Sequence, residues 1–273
     1  MKSTGDSQST STRVRPVLKQ AFHGQPPREP EAVMLVFHLT TSLVDETCSH
    51  MAAGNIGFIF DWDGVIIDSS AAHEESWHLL FKELGKLLPD GFFKKTFGMR
   101  NQQLIPAWFD FVKPDDLAEI KRLGDRKEEL YRDILKRDGI APMPGVLPLL
   151  RELKERNIPC AIGSSSPRMN IEFVMQNAGL ENLFDAIVSA EDVTLGKPHP
   201  QVFLLAAEKI GVKPESCIVF EDAHVGIEAG KRAEMKVLAV ATTHPIGSLL
   251  QADAAFENLD GLTVARVIEA MRL

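Results

Sequence analysis

The sequence predicts an α/β protein in which a parallel-sheet core carries an inserted α-helical cap domain. From residue 55 onward, short β-branched runs alternate with longer amphipathic stretches, and this alternation is interrupted once, between residues 71 and 140. Strand–helix–strand repetition is typical of a parallel sheet with helices on both faces. In such a fold the ligand crevice lies beyond the carboxyl ends of the strands. Polar side chains at those ends are therefore the first candidates for function.

Five apolar runs have the length and the β-branched composition of strands. The amphipathic stretches between them place apolar residues three and four positions apart and close on Gly, Asn or a basic turn, which indicates helices. The predicted strands are IGFIFD (56–61), PCAIGSS (159–165), AIVSA (186–190), CIVFED (217–222) and KVLAVA (236–241). The predicted helices of the core are GVLPLLRELKERN, RMNIEFVMQNAG, PQVFLLAAEKIG and VGIEAGKRAEM.

The interval between residues 71 and 140 lacks a convincing strand and contains helical segments such as HEESWHLLFKELGKLL and AEIKRLGDRKEELYRDILKRDG. An insert of this kind directly after the first strand predicts a separate helical cap over residues 70–143. The core then comprises residues 55–69 and 144–273. Such a cap lies over the carboxyl end of the sheet, where a lid that excludes water belongs.

Composition and charge limit the classes of partner. The chain has 273 residues, of which 44% are hydrophobic, and its net charge is −8. This negative balance argues against a nucleic-acid partner. No apolar run reaches the roughly 18 to 20 residues of a membrane helix, so no membrane partner is expected either. We expect a monomer that acts on a small molecule.

The cysteines and the N-terminal segment bear on the compartment. Cys48, Cys160 and Cys217 are odd in number and form no CxxC pair, which argues against a disulfide framework or a zinc site and fits a reducing compartment. Residues 1–54 begin with a Ser/Thr-rich stretch and are predicted to be a disordered extension. The expected location is the cytoplasm. The alternative is an organelle, if residues 1–50 are a transit peptide.

Carboxylates, hydroxyls and one ammonium follow the predicted strands at their carboxyl ends. Because parallel strands end at the same edge of a sheet, we expect these groups to lie close together. Acids together with Ser and Lys fit phosphoryl transfer, in which carboxylate oxygens hold Mg²⁺ and the other groups hold phosphate oxygens. The residues are Asp61 and Asp63 after the first strand, Ser164 and Ser165 after the second, Lys197 after the third, and Glu221 and Asp222 after the fourth.

Each of these groups also has a simpler interpretation. An Asp-x-Asp sequence after a strand is compatible with a turn, serine runs commonly cap the next helix, and Gly-Lys-Pro is ordinary loop composition. Glu221-Asp222 is compatible with another helix cap. Their common placement at four separate strand ends favours a shared chemical role over four independent caps.

Four segments together resemble the motifs of the haloacid dehalogenase superfamily, in the subgroup with a helical cap inserted after the first motif. They are DWDGVIIDS, the serine of AIGSSS, the lysine of GKPHP, and VFEDAHVGIEAG. The resemblance covers about residues 55 to 260 and is greatest to the branch of β-phosphoglucomutase-like proteins and sugar-phosphate phosphatases. It implies a Rossmann-like core and a phosphotransferase activity.

The resemblance also implies a role for each matching residue. Asp61 corresponds to the nucleophile and Asp63 to the general acid/base. The phosphoryl group would be bound by Ser164 and Lys197, with Ser165 beside them. The implied Mg²⁺ ligands are Asp61, the backbone carbonyl of Asp63, Asp222 and, nearby, Glu221.

The cap contributes three candidate substrate contacts, His73, Arg100 and Lys127. The β-phosphoglucomutases carry His at the start of the cap, as here, but they have Gly-x-x-Arg where FGMRNQQ places Arg100 two residues after Gly98. This departure favours an Mg²⁺-dependent phosphatase of small phosphorylated metabolites, sugar phosphates above all. The alternatives are a β-phosphoglucomutase-type phosphomutase and a non-catalytic binding or regulatory protein on the same fold.

Overall fold

The computed structural model describes residues 56–96 and 99–272. Within them, six parallel strands form one sheet in the order β3-β2-β1-β4-β5-β6. This is a Rossmann-like sheet, in which the strand order reverses between β1 and β4. The strands are β1 (Gly57–Phe60), β2 (Cys160–Gly163), β3 (Ala186–Val188), β4 (Cys217–Glu221), β5 (Lys236–Val240) and β6 (Ala254–Phe256).

The first five strands coincide with the predicted runs, and the predicted α/β fold class is confirmed. Strand β6 was not predicted, because its three residues, two of them alanines, carry little intrinsic strand preference. Pairing with β5 defines it: the amide of Ala241 donates to the carbonyl of Phe256 at 2.8 Å, and the amide of Asp253 donates to that of Val237 at 2.8 Å.

The helices divide between the insert and the core. In the described part of residues 71–140 the regular structure is helical, as predicted: α1 (Ser70–Glu83), α2 (Phe92–Thr96), α3 (Asn101–Trp108) and α4 (Leu117–Asp138). The core helices are α5 (Val146–Glu155), α6 (Arg168–Ala178), α7 (Gln201–Lys209), α8 (His224–Arg232) and α9 (Val264–Met271). No helix in these described ranges has both the length and the hydropathy to cross a membrane. The predicted extension at 1–54 lies outside the described residues.

Both faces of the sheet are buried, because alternate side chains of each strand enter different apolar layers. Phe58 and Phe60 of β1 face the layer formed with helices α5, α6 and α9. Ile59, between them, faces the layer formed with α7 and α8. The helices cover the two faces of the sheet and not the carboxyl ends of its strands. The polar residues lie at those ends.

The insert has an apolar cluster of its own, built around aromatic rings. Trp77 contacts Phe92 edge to face at 5.4 Å, and Phe81 contacts Phe109 at 4.8 Å. Helix α4 contributes to this cluster through Leu123 and, further along, to a sheet layer through residues 131 and 135. The middle of α4, at residues 127 and 128, consequently lies between the cap cluster and the core.

Candidate active site

The end of β1 brings Asp61 and Asp63 into the same cleft. The amide of Asp61 still donates to the carbonyl of Phe220, at 2.9 Å, so Asp61 is held by the sheet. The side chain of Trp62 turns into the core and is fully buried, while its carbonyl accepts the amide of Ile66 at 2.9 Å. The chain thus turns around a buried indole, and the carboxylates on either side of it both reach the cleft.

Gly64 completes this turn and admits a neighbouring carboxylate. Its φ of +83° lies in the left-handed region that side chains disfavour. A Cβ atom at this position would lie 2.0 Å from Oδ2 of Asp222. The absence of a side chain at Gly64 therefore allows the first and fourth strand ends to approach each other.

Lys197 joins the same two strand ends. Its Nζ lies 2.8 Å from Oδ1 of Asp61 and 2.6 Å from Oε1 of Glu221, and its side chain is buried. Burial alone would lower the pKa of Lys197, but the two carboxylates outweigh burial and raise this pKa above its ordinary value. Lys197 is therefore a fixed cation beside the predicted nucleophile.

Glu221 is held on both of its oxygens. Oε1 faces Lys197, and Oε2 accepts the amides of Asp222 and Ala223, each at 2.9 Å. A Cβ atom at Gly226 would lie 1.7 Å from Oε1, so helix α8 begins closely packed against this carboxylate. Glu221 is therefore the partner of Lys197, and it also belongs to an acidic cluster with Asp61 and Asp222.

Asp61, Glu221 and Asp222 form a buried acidic cluster that fits a divalent cation. One carboxylate oxygen from each lies within 4.8 Å of the others. Oδ2 of Asp222 is buried without a hydrogen-bond partner in the described chain. Burial and the neighbouring carboxylates raise the pKa of Asp222 well above its ordinary value; burial, partly offset by Lys197, raises that of Asp61 to about 7. Oxygen ligands, an unpartnered buried acceptor and excess negative charge suit a hard cation such as Mg²⁺.

Three side chains contact the carboxylate of Asp63. Ser69 and Ser166 donate their hydroxyls to it, and Nε2 of His73 lies 3.3 Å from Oδ1. Burial alone would raise the pKa of Asp63, but His73 and the two serines more than offset it and lower this pKa to about 2. In the substrate-free chain Asp63 is therefore ionised and can accept a proton.

A buried polar network connects Asp63 to the cap. Nζ of Lys127 lies 2.5 Å from Nδ1 of His73, whose Nε2 faces Asp63. The same Nζ of Lys127 also lies 3.1 Å from Oε1 of Glu128. Glu128 also accepts Nδ2 of Asn101 at 2.7 Å and Nδ2 of Asn170 at 2.6 Å. Helices α3 and α4 of the insert and α6 of the core therefore meet at one carboxylate.

Arg100 lines the cleft, but its guanidinium is directed at the core backbone. Nη2 donates to the carbonyl of Ala190 at 2.7 Å, and Nη1 to that of Val193 at 3.3 Å. Its aliphatic stem lies against Gly196, where a Cβ atom would be 2.8 Å from Cδ of Arg100. Arg100, predicted to contact substrate, thus binds the loop that leads to Lys197.

The three consecutive serines after β2 make different contacts. The amide of Ser164 donates to the carbonyl of Val188 at 2.9 Å, and its Oγ accepts the amide of Ser166 at 3.0 Å. Ser164 and Ser165 both line the cleft, as the sequence predicts. Ser166, next in the run, was not assigned a role from sequence, yet its hydroxyl bonds Asp63.

Further residues of the site were missed by the sequence analysis. Ser69 ends the first motif and could have been noticed from that position alone. Glu128 and Asn170 have no such signal, because their contact depends on how two helices pack. The site residues that were predicted at the strand ends, by contrast, all line this cleft: Asp61, Asp63, Ser164, Ser165, Lys197, Glu221 and Asp222.

Comparison with known proteins defines the class to which this fold and cleft belong. The model of the haloacid dehalogenase-like hydrolase family matches residues 57–234. The chain therefore belongs to the haloacid dehalogenase-like hydrolases, and the predicted resemblance is confirmed.

Particular relatives include named phosphatases. A chloroplastic 5-amino-6-(5-phospho-D-ribitylamino)uracil phosphatase of Arabidopsis thaliana is 35% identical over 78% of this chain, which spans only 57% of that protein. A fructose-1-phosphate phosphatase of Escherichia coli is 32% identical over 67% of this chain and 95% of its own length. A crystal structure of β-phosphoglucomutase from Clostridium difficile matches with a TM-score of 0.71 and 28% identity, over 80% of this chain and 97% of that one.

Proposed function

We propose that this chain is an Mg²⁺-dependent phosphatase of small phosphorylated metabolites, with sugar phosphates as the main substrate class. The observation that carries the proposal is the pair of carboxylates at the end of β1. Asp61 is held by Lys197 beside the acidic cluster, whereas three other side chains contact Asp63. The two carboxyls therefore have different environments and can take different roles.

Asp61 is the nucleophile of the first step. Its carboxylate oxygen attacks the phosphorus atom, the bond between phosphorus and the ester oxygen breaks, and an aspartyl phosphate forms. The charge of the arriving phosphate favours protonation of the ionised Asp63, which takes up a proton from solvent water as the substrate binds. Asp63 then donates this proton to the leaving alkoxide, which departs as the alcohol.

Water completes the reaction in a second displacement. Asp63, now ionised, removes a proton from the water molecule whose oxygen attacks the phosphorus atom. The bond between phosphorus and the Asp61 oxygen breaks, which restores Asp61 and releases inorganic phosphate. Lys197 and Ser164, with Ser165 beside them, hold the phosphoryl oxygens through both steps.

The bound metal supplies positive charge that offsets the repulsion between the nucleophile and the phosphate. Asp61, Asp222 and the backbone carbonyl of Asp63 would hold it, with Glu221 nearby. The unpartnered oxygen of Asp222 supports this assignment.

A phosphomutase is the second candidate, favoured by the match to β-phosphoglucomutase. Such an enzyme uses the same aspartyl phosphate but returns the phosphoryl group to sugar. A non-catalytic protein is disfavoured, because Asp61, Asp63, Lys197 and Asp222 are all present in one cleft.

Phosphate release in the presence of Mg²⁺ distinguishes these functions. The panel contains sugar and polyol phosphates, nucleotides, a phosphoribitylaminouracil, and β-glucose 1-phosphate with glucose 6-phosphate measured in parallel. We expect free phosphate from a narrow group of monoesters. Glucose 6-phosphate formed without phosphate loss would instead identify a mutase.

The nucleophile is tested with Asp61→Asn, which removes the attacking charge with little change in shape. Phosphate release should fall to background while the melting temperature shows a folded protein. Asp133→Asn is the matched control, since Asp133 is exposed and pairs only with Lys136 in the described contacts. Full activity in Asp61→Asn would refute the mechanism.

The compartment, oligomeric state and domain division are part of the same proposal. We infer a cytoplasmic monomer with a cap over residues 70–143. An organelle remains the alternative, supported by the chloroplastic relative.

A further inference from the structure

Two of the three Lys and Arg side chains that line the cleft are paired with carboxylates in the described chain. Lys197 contacts Asp61 and Glu221, and Lys127 contacts Glu128 and His73. The third cation among the described lining residues is Arg100, whose Nη1 and Nη2 donate to backbone carbonyls of the loop after β3 and whose Nε is buried without a hydrogen-bond partner in the described chain. Positions 97 and 98, which the structure does not describe, are Phe and Gly and carry no charge.

Negative charges outnumber these cations along the same walls. The acids that line the cleft are Asp61, Asp63, Glu128, Glu191, Glu221 and Asp222. A divalent cation and Lys197 can balance one phosphoryl group at the strand ends. A second phosphoryl group would meet walls that carry more carboxylates than cations, so its desolvation would not be compensated.

Besides Arg100, Lys127 and Glu128, the cap wall of the cleft carries uncharged groups. Met99 provides exposed apolar surface, together with the small exposed parts of Trp77 and Leu104, and Gln102 provides an amide. Carbon chains and hydroxyl groups are well matched to such a wall.

We propose that this site takes phosphomonoesters whose leaving group is uncharged, and that it discriminates against bisphosphates. This inference rests on the proposed phosphatase function and specifies its substrate class. It also separates the chain from phosphomutases, because a mutase must retain a sugar bisphosphate between its two phosphoryl transfers.

The test compares matched substrates with the full chain and Mg²⁺, using fructose 1-phosphate against fructose 1,6-bisphosphate and glycerol 3-phosphate against a glycerol bisphosphate. The ratio of kcat/KM for phosphate release should favour the monophosphate by about tenfold or more, the scale set by one unscreened like-charge contact. Equal release from both members of a pair would overturn this inference and leave the phosphatase proposal intact. No release from any substrate would overturn both.

A variant with an added cation tests the electrostatic cause. In Gln102→Lys an ammonium joins the cap wall, so the ratio should fall toward unity. Gln102→Met is the control, because it keeps the length of the side chain and adds no charge, and its ratio should stay high. A ratio unchanged in Gln102→Lys, with the fold shown intact by its melting temperature, would mean that charge is not the discriminating factor.

Discussion

At the scale of single residues, Gly226 shows how closely Glu221 and its partner Lys197 are packed. In Gly226→Ala the new Cβ would fall 1.7 Å from Oε1 of Glu221, the oxygen that contacts Lys197, so this carboxylate must shift from its present position. Displacement of that size should lower kcat/KM by about 100-fold. Gly247→Ala is the matched control, since nothing lies within 4 Å of its added Cβ. Equal kinetics in the two variants would show that Glu221 does not position Lys197.

Asp63 tests the separation of proton transfer from metal binding. Asp63→Asn keeps the backbone carbonyl and the shape of the side chain but removes the group that exchanges protons. We expect kcat to fall by about 10²- to 10⁴-fold, while the Mg²⁺ concentration for half-maximal activity changes little. A variant with near-normal kcat at saturating Mg²⁺ would contradict the acid/base assignment.

At the scale of elements, Glu128 of α4 determines how the insert meets the core. Glu128→Ala leaves the Lys127 ammonium buried without its carboxylate partner and removes the acceptor of Asn101 and Asn170. The free energy of unfolding should fall by about 3 to 5 kcal/mol in urea denaturation. Glu129→Gln, on the exposed side of the same helix, should change it by no more than about 0.5 kcal/mol.

The same carboxyl predicts a dependence of stability on pH. Burial alone would raise the pKa of Glu128, but Lys127, His73 and the two asparagines outweigh it and lower this pKa below its ordinary value of 4.5. Its contribution is therefore fully present above pH 4.5 and is lost as the pH falls through the lower folded value. The stability difference between the wild type and Glu128→Gln should be constant near neutrality and shrink at acid pH. A difference that grows on acidification would contradict this sign.

How far sequence could predict the structure differs from element to element. Strands β1, β2, β4 and β5 have dense apolar runs, so their polar ends could be identified and the core of the site followed from them. Strand β6 depends on pairing with β5, and the Arg100 contact depends on how the insert approaches the loop after β3. Glu128 and Asn170 are 42 positions apart, and only the packing of α4 against α6 brings them together.

At the scale of the whole molecule, the acidic cluster predicts that stability depends on divalent cations. A ligand bound only by the folded chain, at 100 times its dissociation constant, stabilises it by about 2.7 kcal/mol. Mg²⁺ should therefore raise the melting temperature, and a chelator should reverse the change. Asp222→Asn should abolish this increase, whereas Asp133→Asn should retain it. An equal increase in both variants would mean that the cation binds elsewhere.

The turn at the end of β1 has one more consequence, which is optical. The chain has three tryptophans, and they occupy different surroundings: Trp62 is buried in the core against Phe184, Trp77 belongs to the cap cluster, and Trp108 is half-buried at the end of α3. In a chain carrying Trp77→Phe and Trp108→Phe, the tryptophan emission would come from this core indole, whose backbone joins Asp61 to Asp63. A stopped-flow change in that emission on mixing with substrate would report a movement of the turn without any added label.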